Sequence, residues 1–182
     1  MALGDSGRGE HAKRTGRANT TDWFDRPDPT GKTDTGEVGL RFECTQCGNC
    51  CTGPPGYVHF TDDEARAMAG QLGLTVDRFY ETYTRDTVLG RSLSEVETEH
   101  GFDCVLLDRE SVAGKALCRV YKARPAQCRT WPFWADNVRS REAWKRASRE
   151  CPGMGRGPLY APEVVRMTVS AADDSGGPAR RG

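Results

Sequence analysis

Four cysteines lie close together in the segment CTQCGNCC, which spans residues 44–51. A Cys-x-x-Cys spacing closes through a tight turn that directs two sulfur atoms at one point, and the repeated spacing brings Cys50 to the same point. Gly48 and Asn49 are residues that favour such a turn. Converging thiolates are the ligands that zinc and iron–sulfur clusters prefer, so this spacing predicts a metal site.

Cys51 follows Cys50 directly and needs a separate interpretation. In extended chain the side chains of neighbouring residues point to opposite sides, so these two thiols are not expected to share one small tetrahedral site. We therefore predict that Cys51 serves a second cluster or a different iron.

The chain has 182 residues and eight cysteines, and it is 29% charged and 36% hydrophobic. No stretch approaches the roughly 20 apolar residues of a membrane span, and MALGDSGRGEHAKRTGR lacks the apolar core of a signal peptide. We expect a cytoplasmic protein that does not enter a membrane. Thiols stay reduced in the cytoplasm, so metal ligation is favoured over the alternatives of four disulfides or scattered buried thiols. The predicted ligands are Cys44, Cys47, Cys50, Cys51, Cys104, Cys118, Cys128 and Cys151.

The composition predicts one α+β domain, small and irregular, stabilised by metal and built from short helices and a short antiparallel hairpin, with disordered termini. Residues 1–38 are predicted to be a disordered leader, 39–157 the cysteine-cluster metal-binding domain, and 158–182 a mostly flexible tail. Trp23 and Phe24 are the large apolar pair of the leader, and we expect them to stay on the tail rather than dock. One short element is expected near residues 163–169.

Three helices are predicted from caps and apolar spacing. Thr61 and Glu64 form a capping box for a helix that ends at Gly73, and a second helix begins after Thr75. A third is expected over residues 140–149. The apolar faces of the first two are Ala65, Met68, Ala69 and Leu72, and Val76, Phe79, Tyr80 and Tyr83.

The segments SLSEVET and FDCVLLD carry β-branched and alternating residues, which predict two or three short antiparallel strands. Cys104 and Cys118 are then placed on strands that flank a hairpin, which can bring their sulfur atoms together. Pro125 is expected to start a helical turn that ends near Cys128, and Pro132 to stop it.

The runs CTQCGNCC, RPAQCRTWPF and CPGMG, in this order, resemble the YkgJ-type CxxCxxCC cysteine-cluster family, whose domain is described as zinc- or iron-chelating. The resemblance covers roughly residues 42–157. It implicates as ligands Cys44, Cys47, Cys50, Cys51, Cys128 and Cys151, while Cys104 and Cys118 match the family's more loosely spaced middle cysteines. Some members of the family are linked to lysine methylation of flagellin, although this sequence has no Gly-rich nucleotide loop.

The spacing also suggests how the thiols divide. Three closely spaced cysteines with a remote Cys-Pro fit the ligand outline of a bacterial ferredoxin cubane. Cys44, Cys47, Cys50 and Cys151 would then hold a 4Fe-4S cluster, and Cys51, Cys104, Cys118 and Cys128 a second site suited to zinc or another cluster. The competing interpretation is two plain zinc sites that hold together a small domain.

Other residues are weaker candidates. His59 and His100 could each bind metal, but with eight thiols present a histidine in a strand or loop is the simpler interpretation. Arg124 and Arg129 flank Cys128 and either tune the charge of a cluster or pair with acidic residues. The aromatic residues that are expected to shield the site are Trp131, Phe133 and Trp134.

Three classes of function follow. The first is a protein that binds zinc or iron at one or two sites, including a 4Fe-4S cluster, for structural, redox or metal-handling use. The second is an iron–sulfur enzyme, an oxidoreductase or a protein-modifying enzyme, acting with a protein partner. The third is a nucleic-acid binder that uses residues 119–150, with nine basic and three acidic side chains. A net charge of zero argues against nucleic acid.

Overall fold

The computed structural model describes residues 22–27 and 37–174. The α+β prediction is confirmed, since the described residues form six α-helices and four separate two-stranded antiparallel sheets. The helices are α1 (Asp62–Leu72), α2 (Val76–Tyr83), α3 (Ala126–Arg129), α4 (Ala135–Val138), α5 (Arg141–Glu150) and α6 (Pro162–Asp174). The strands are β1 (Leu40–Phe42), β2 (Thr84–Thr87), β3 (Gly90–Leu93), β4 (Glu95–Thr98), β5 (Gly101–Cys104), β6 (Leu107–Asp108), β7 (Leu117–Cys118) and β8 (Met154–Tyr160).

The predicted helix caps are present. The Thr61 side chain accepts from the Glu64 backbone N–H, the Glu64 side chain caps Thr61 in return, and Gly73 ends α1 in a left-handed conformation. Thr75 caps α2, and Ser140 caps α5 by accepting from Ala143. The helices begin where local hydrogen bonding satisfies their first backbone N–H groups.

The central part of the chain forms more strands than we predicted. Three consecutive hairpins, β2–β3, β4–β5 and β6–β7, replace the expected two or three strands. Gly90 and Gly101 have φ of 108° and 109° at the turns of the first two, a conformation that side chains other than glycine rarely adopt. A two-stranded sheet is marginal by itself, so each hairpin depends on packing against the rest of the domain.

The fourth sheet joins distant parts of the chain. Strands β1 and β8 pair antiparallel, with Phe42 opposite Met154, and the Glu43 backbone N–H donates to the Gly153 carbonyl over 3.1 Å. The start of the cysteine segment therefore lies beside the residues that follow Cys151.

Two hydrophobic cores support the fold. The α1–α2 core consists of Ala65, Met68, Ala69, Phe79, Leu93, Leu106 and Val120. The α5 core consists of Phe24, Leu40, Phe133, Val138, Trp144, Cys151, Met154 and Val165. Several predicted site residues lie at their edges, since Cys104 and Cys118 pack against the first core and Trp131 against the second.

The prediction of a mostly flexible tail from residue 158 was wrong for the described part. Strand β8 continues to Tyr160, and α6 extends to Asp174. Val165 is fully buried, and Val169, one helical turn later, packs against the α5 core. Apolar residues four positions apart form one face of the helix, and burial of that face against the α5 core holds the helix on the domain.

Most of the predicted leader lies outside the described residues. Within residues 22–27, however, Trp23–Asp25 forms a 3-10 turn that docks on the domain, so our expectation of an undocked pair was wrong. Phe24 is 3% exposed, and the Trp23 indole N–H donates to the Val138 carbonyl over 2.6 Å. Burial of the Phe24 ring contributes about 2 kcal/mol to this docking.

No helix within residues 22–27 and 37–174 has the length and apolar character of a membrane span.

Candidate metal centre

The cysteine segment does not run as extended chain. Gln46 and Gly48 adopt φ of 58° and 81°, and Asn49–Cys51 then forms a 3-10 turn in which the Cys51 N–H donates to the Gly48 carbonyl. The Cys50 and Cys51 sulfur atoms consequently lie 3.7 Å apart. Our expectation that these two thiols point to opposite sides was wrong, because a helical turn does not alternate its side chains as a strand does.

Six of the eight cysteines line one cavity of about 70 Å³, which we call the cysteine cavity. Two of them come from β5 and β7 and one from α3, so two of the three hairpins and the predicted turn after Pro125 contribute. The six are Cys44, Cys50, Cys51, Cys104, Cys118 and Cys128. The cavity lies between the two cores, since its lining includes Leu106 of the α1–α2 core and Trp131 at the edge of the α5 core.

Cys47 and Cys151 do not line the cysteine cavity. Cys151 follows α5, and the Asn49 amide donates to the Glu150 carbonyl over 2.6 Å, which ties the end of α5 to the cysteine segment. Burial raises the pKa of the Cys151 thiol, and the nearby Cys47 and Cys50 raise it further. Cys151 is therefore joined to the cysteine segment at the end of α5, outside the cysteine cavity.

These positions bear on the predicted division of the thiols. The second predicted set, Cys51, Cys104, Cys118 and Cys128, lines one cavity as a whole. The first set is divided, because Cys44 and Cys50 line the same cavity while Cys47 and Cys151 do not. The allocation of ligands to separate metals stays a prediction.

Cys50 occupies a central position among the thiols. Its sulfur contacts that of Cys51 and lines the cavity with other thiols, and a negative charge on it would raise the pKa of each of five other cysteines. Those five are Cys51, Cys104, Cys118, Cys128 and Cys151. By contrast, Cys44 and Cys50 are the exposed thiols, so they form the solvent side of the site.

The walls of the cysteine cavity are largely apolar, and they hold the thiols in their protonated form. Burial raises the pKa of Cys104 to about 12 and raises those of Cys118 and Cys128 as well. For Cys51 the main cause is its contact with the Cys50 thiol. The apolar wall residues are Val58, Leu106, Leu107, Ala116, Pro125, Trp131 and Trp134.

Arg124 and Arg129 have different partners: Arg129 pairs with an acidic residue, whereas a role of Arg124 in tuning the charge of a cluster stays a prediction. Arg124 lines the cavity, stacks 3.8 Å from the Tyr121 ring centroid and opposes the raised pKa of Cys118 and Cys128. Arg129 instead pairs with Glu64 over 3.3 Å, which joins the basic and acidic parts of the chain.

The aromatic residues and histidines also separate by position. Trp131 and Trp134 line the cysteine cavity, whereas Phe133 is buried in the α5 core and stacks on Trp144. His59 stacks on Tyr57, and His100 lies in the turn between β4 and β5. Neither histidine lines the cavity.

An ion pair behind the cysteine segment was missed at the sequence level. Asp103 is 6% exposed and binds Arg109 over 2.6 Å, and both groups bind the Thr52 hydroxyl. The Thr52 hydroxyl oxygen also lies 3.1 Å from the Gly48 carbonyl oxygen, so this network supports the turn that carries Cys50 and Cys51. The sequence gives no signal for it, because Asp103 and Arg109 belong to a segment with many other charges.

In the part of the chain that the structure describes, no three His, Cys, Asp or Glu side chains stand close enough together to hold one metal ion. All eight cysteines are free thiols. The donor set itself suits a soft transition metal, since thiolates select zinc, copper(I) and iron–sulfur clusters.

The fold and site together define a small cysteine-rich α+β domain with a thiol-lined cavity between two cores. The model of the CxxCxxCC family, described as a "putative zinc- or iron-chelating domain", matches residues 43–152, and the chain therefore belongs to this family. The match begins one residue before Cys44 and ends one residue after Cys151, so it includes every cysteine. No solved structure matches the chain.

Proposed function

We propose that this protein chelates iron as a polynuclear thiolate centre in the cysteine cavity, with the 4Fe-4S cluster as the type. The observation that carries the proposal is that six cysteines line one cavity of about 70 Å³. A single water needs roughly 10–15 Å³ of such volume. The cavity is therefore several times larger than the space that one water molecule needs. It also offers six thiols, whereas one tetrahedral zinc ion uses four ligands.

The chain provides thiol ligands for the metal, a positive charge beside them and aromatic rings that limit contact with water. Chelation requires the buried thiols to lose their protons and turn inward, so the raised pKa values of Cys104 and Cys128 make metal uptake a proton-releasing step. The Arg124 guanidinium at the cavity wall offsets part of the negative charge that several thiolates bring. Trp131 and Trp134 limit the access of water to the centre.

The centre has a structural and a redox role in this proposal. Ligands at the edges of both cores would be joined through one metal group, which stabilises a domain whose sheets have only two strands each. An iron–sulfur cluster accepts and donates single electrons, and the exposed Cys44 and Cys50 give it a solvent-facing edge. Thiolate ligation needs a reducing compartment, which fits the cytoplasm.

The test is to purify the protein without oxygen and to measure iron, zinc and acid-labile sulfide per chain together with the visible spectrum. The proposal predicts a brown protein with broad sulfur-to-iron absorption and with iron and sulfide in equal amounts. A colourless protein with about two zinc ions per chain would retain chelation but remove the iron assignment. A protein without bound zinc or iron would overturn the proposal.

A further inference from the structure

The Trp131 indole N–H is a buried hydrogen-bond donor without a conventional partner in the described structure. Its Nε1 atom is shielded from solvent and makes no hydrogen bond of normal length and angle to a protein atom. The other tryptophan at the cavity differs, because Trp134 Nε1 donates to the Gln127 carbonyl over 3.1 Å and lies 3.2 Å from the Thr130 hydroxyl. A buried N–H group normally donates a hydrogen bond, so we expect an acceptor near the Trp131 indole.

The position of Trp131 points to a sulfur atom as that acceptor. The residue lines the cysteine cavity and packs against the α5 core, which contains Cys151. Burial raises the pKa of the Cys151 thiol, and the Trp131 N–H acts in the opposite direction by favouring the thiolate. The unpartnered donor and the Cys151 sulfur therefore belong to one packed cluster of side chains.

The ring of Trp131 is also fixed in place. It forms an edge-to-face pair with Trp134 at a centroid distance of 4.8 Å, and the Trp134 N–H bonds hold that second ring to α3 and the turn after it. A donor on a fixed ring needs little further ordering to bond an acceptor that forms beside it.

We propose that Trp131 is a positioning residue that donates a hydrogen bond from Nε1 to the Cys151 sulfur once that sulfur is a metal-bound thiolate. The inference rests on the proposed function and extends it to Cys151, which does not line the cysteine cavity. A donor to a ligand sulfur orients the ligand and withdraws electron density from the metal, which raises the reduction potential of an iron–sulfur centre.

The experiment follows the four indole N–H signals of the ¹⁵N-labelled full chain by NMR before and after loading with zinc, a diamagnetic probe. Trp131→Phe assigns its signal, and Trp134→Phe is the matched control, because it changes the same ring type at the same cavity but removes an N–H that protein oxygens already bind. We expect zinc to shift the Trp131 signal and to slow its exchange with solvent, with little change at Trp134.

Two further measurements separate a bond to sulfur from a packing role. Loss of an outer hydrogen bond to a ligand typically lowers metal affinity roughly 10- to 100-fold. We expect Trp131→Phe to lower zinc affinity by this factor and Trp134→Phe to change it much less. With iron loaded, the midpoint potential of Trp131→Phe should move to a more negative value, while that of Trp134→Phe should not.

The outcomes distinguish this inference from the function on which it rests. If the wild-type chain binds zinc but the Trp131 signal neither shifts nor slows, the hydrogen bond is absent and the inference is overturned while chelation stands. The NMR measurement on wild-type protein decides this even where Trp131→Phe fails to fold, since the signal can then be assigned through the bonds of its own side chain. If the wild-type chain binds no metal, the proposed function fails first and the inference fails with it.

Discussion

Cys50 has the widest electrostatic influence among the thiols, because a negative charge on it would raise the pKa of five other cysteines. The number of cysteines, their spacing and the family resemblance predict all eight as ligands, which stays a prediction, but they could not predict how the thiols are grouped in space. The distance of 3.7 Å between Cys50 and Cys51 depends on a 3-10 turn, and that turn depends on Gln46 in a left-handed conformation. A glutamine at positive φ has no sequence signal, because glycine, asparagine and aspartate are the residues usually found there.

Cys50→Ser and Cys51→Ser should affect the same metal. Both thiols line the cysteine cavity, so each substitution should remove most of the iron and sulfide and bleach the visible absorption. Cys47→Ser is the matched control from the same segment and should retain more of both, since Cys47 does not line the cavity. Metal and sulfide analysis of the three variants shows whether Cys50 and Cys51 bind the same metal centre. Loss of metal in Cys47→Ser with retention in Cys51→Ser would restore the division predicted from spacing.

Asp103 gives a prediction for stability and pH. The hydrogen bond from Arg109 holds the pKa of the Asp103 carboxyl below its usual value, and the Thr52 hydroxyl adds to this effect. A carboxyl with a depressed pKa stabilises the fold above its unfolded pKa of about 3.9, and the contribution is lost as pH falls through the folded value. Asp103→Asn should therefore cost about 3 kcal/mol at pH 7, because it leaves the Arg109 charge without its partner.

The measurement is urea unfolding of wild type and Asp103→Asn at pH 7, 5 and about 3, with metal content determined at each pH. The difference in unfolding free energy should persist at pH 5 and shrink below about pH 4. Glu81→Gln, which disrupts an exposed pair with Arg78, should change stability by about 0.5 kcal/mol or less. A difference for Asp103→Asn that did not depend on pH would show that ionisation of Asp103 contributes nothing.

At the scale of elements, the helices were the predictable part and the short strands were not. Caps and apolar spacing predicted the starts of α1, α2 and α5, and the ends of α1 and α5, to within about one residue. The pairing of β1 with β8 could not be predicted, since β1 has three residues and β8 contains two glycines and a proline. That sheet is a tertiary contact, and residues 37–42 and 154–160 carry no strand pattern by themselves.

The turn in the cysteine segment depends on Gly48. Its φ is 81°, and a Cβ atom there would lie 2.7 Å from the Ala116 Cβ atom. Gly73 is a matched control, because its φ is 69° but a Cβ atom would meet nothing within 4 Å. Both Gly→Ala substitutions should cost about 1–2 kcal/mol for the left-handed backbone, and Gly48→Ala should cost about 1–3 kcal/mol more for the overlap.

Gly48→Ala should also reduce the metal content of the purified protein, because it displaces the turn that carries Cys50 and Cys51. Chemical unfolding and metal analysis of both variants test this. Equal effects of Gly48→Ala and Gly73→Ala on stability and metal content would mean that the close approach to Ala116 does not matter.

At the scale of the whole molecule, the cysteine cavity lies where the two cores meet. The sequence predicted a metal-binding domain between loose ends, but it did not show that residues 22–27 and α6 close the α5 core. Arg166 of α6 pairs with Asp22 and Asp25 over 2.9 and 3.0 Å, a contact between residues more than 140 positions apart. Pairing at such separation leaves no pattern in a single sequence.

Removal of the metal should destabilise both cores together. Part of the binding energy at a thiolate site, which is on the order of 10 kcal/mol in total, is folding energy. We therefore expect chelation to lower the midpoint of urea unfolding, in one transition reported by the near-UV circular dichroism of the tryptophans in the cavity wall and the α5 core. An unchanged midpoint after complete chelation would show that the two cores do not depend on the metal.

X-ray absorption spectroscopy of the anaerobically purified protein shows directly whether thiolates from the cysteine cavity hold a metal centre. We expect iron as the absorbing metal, with a nearest shell of sulfur atoms at a distance close to the roughly 2.3 Å of zinc–thiolate bonds and a second shell of iron beyond it. A nearest shell dominated by nitrogen or oxygen would rule out ligation by the cavity, since the cavity offers thiols in place of those ligands.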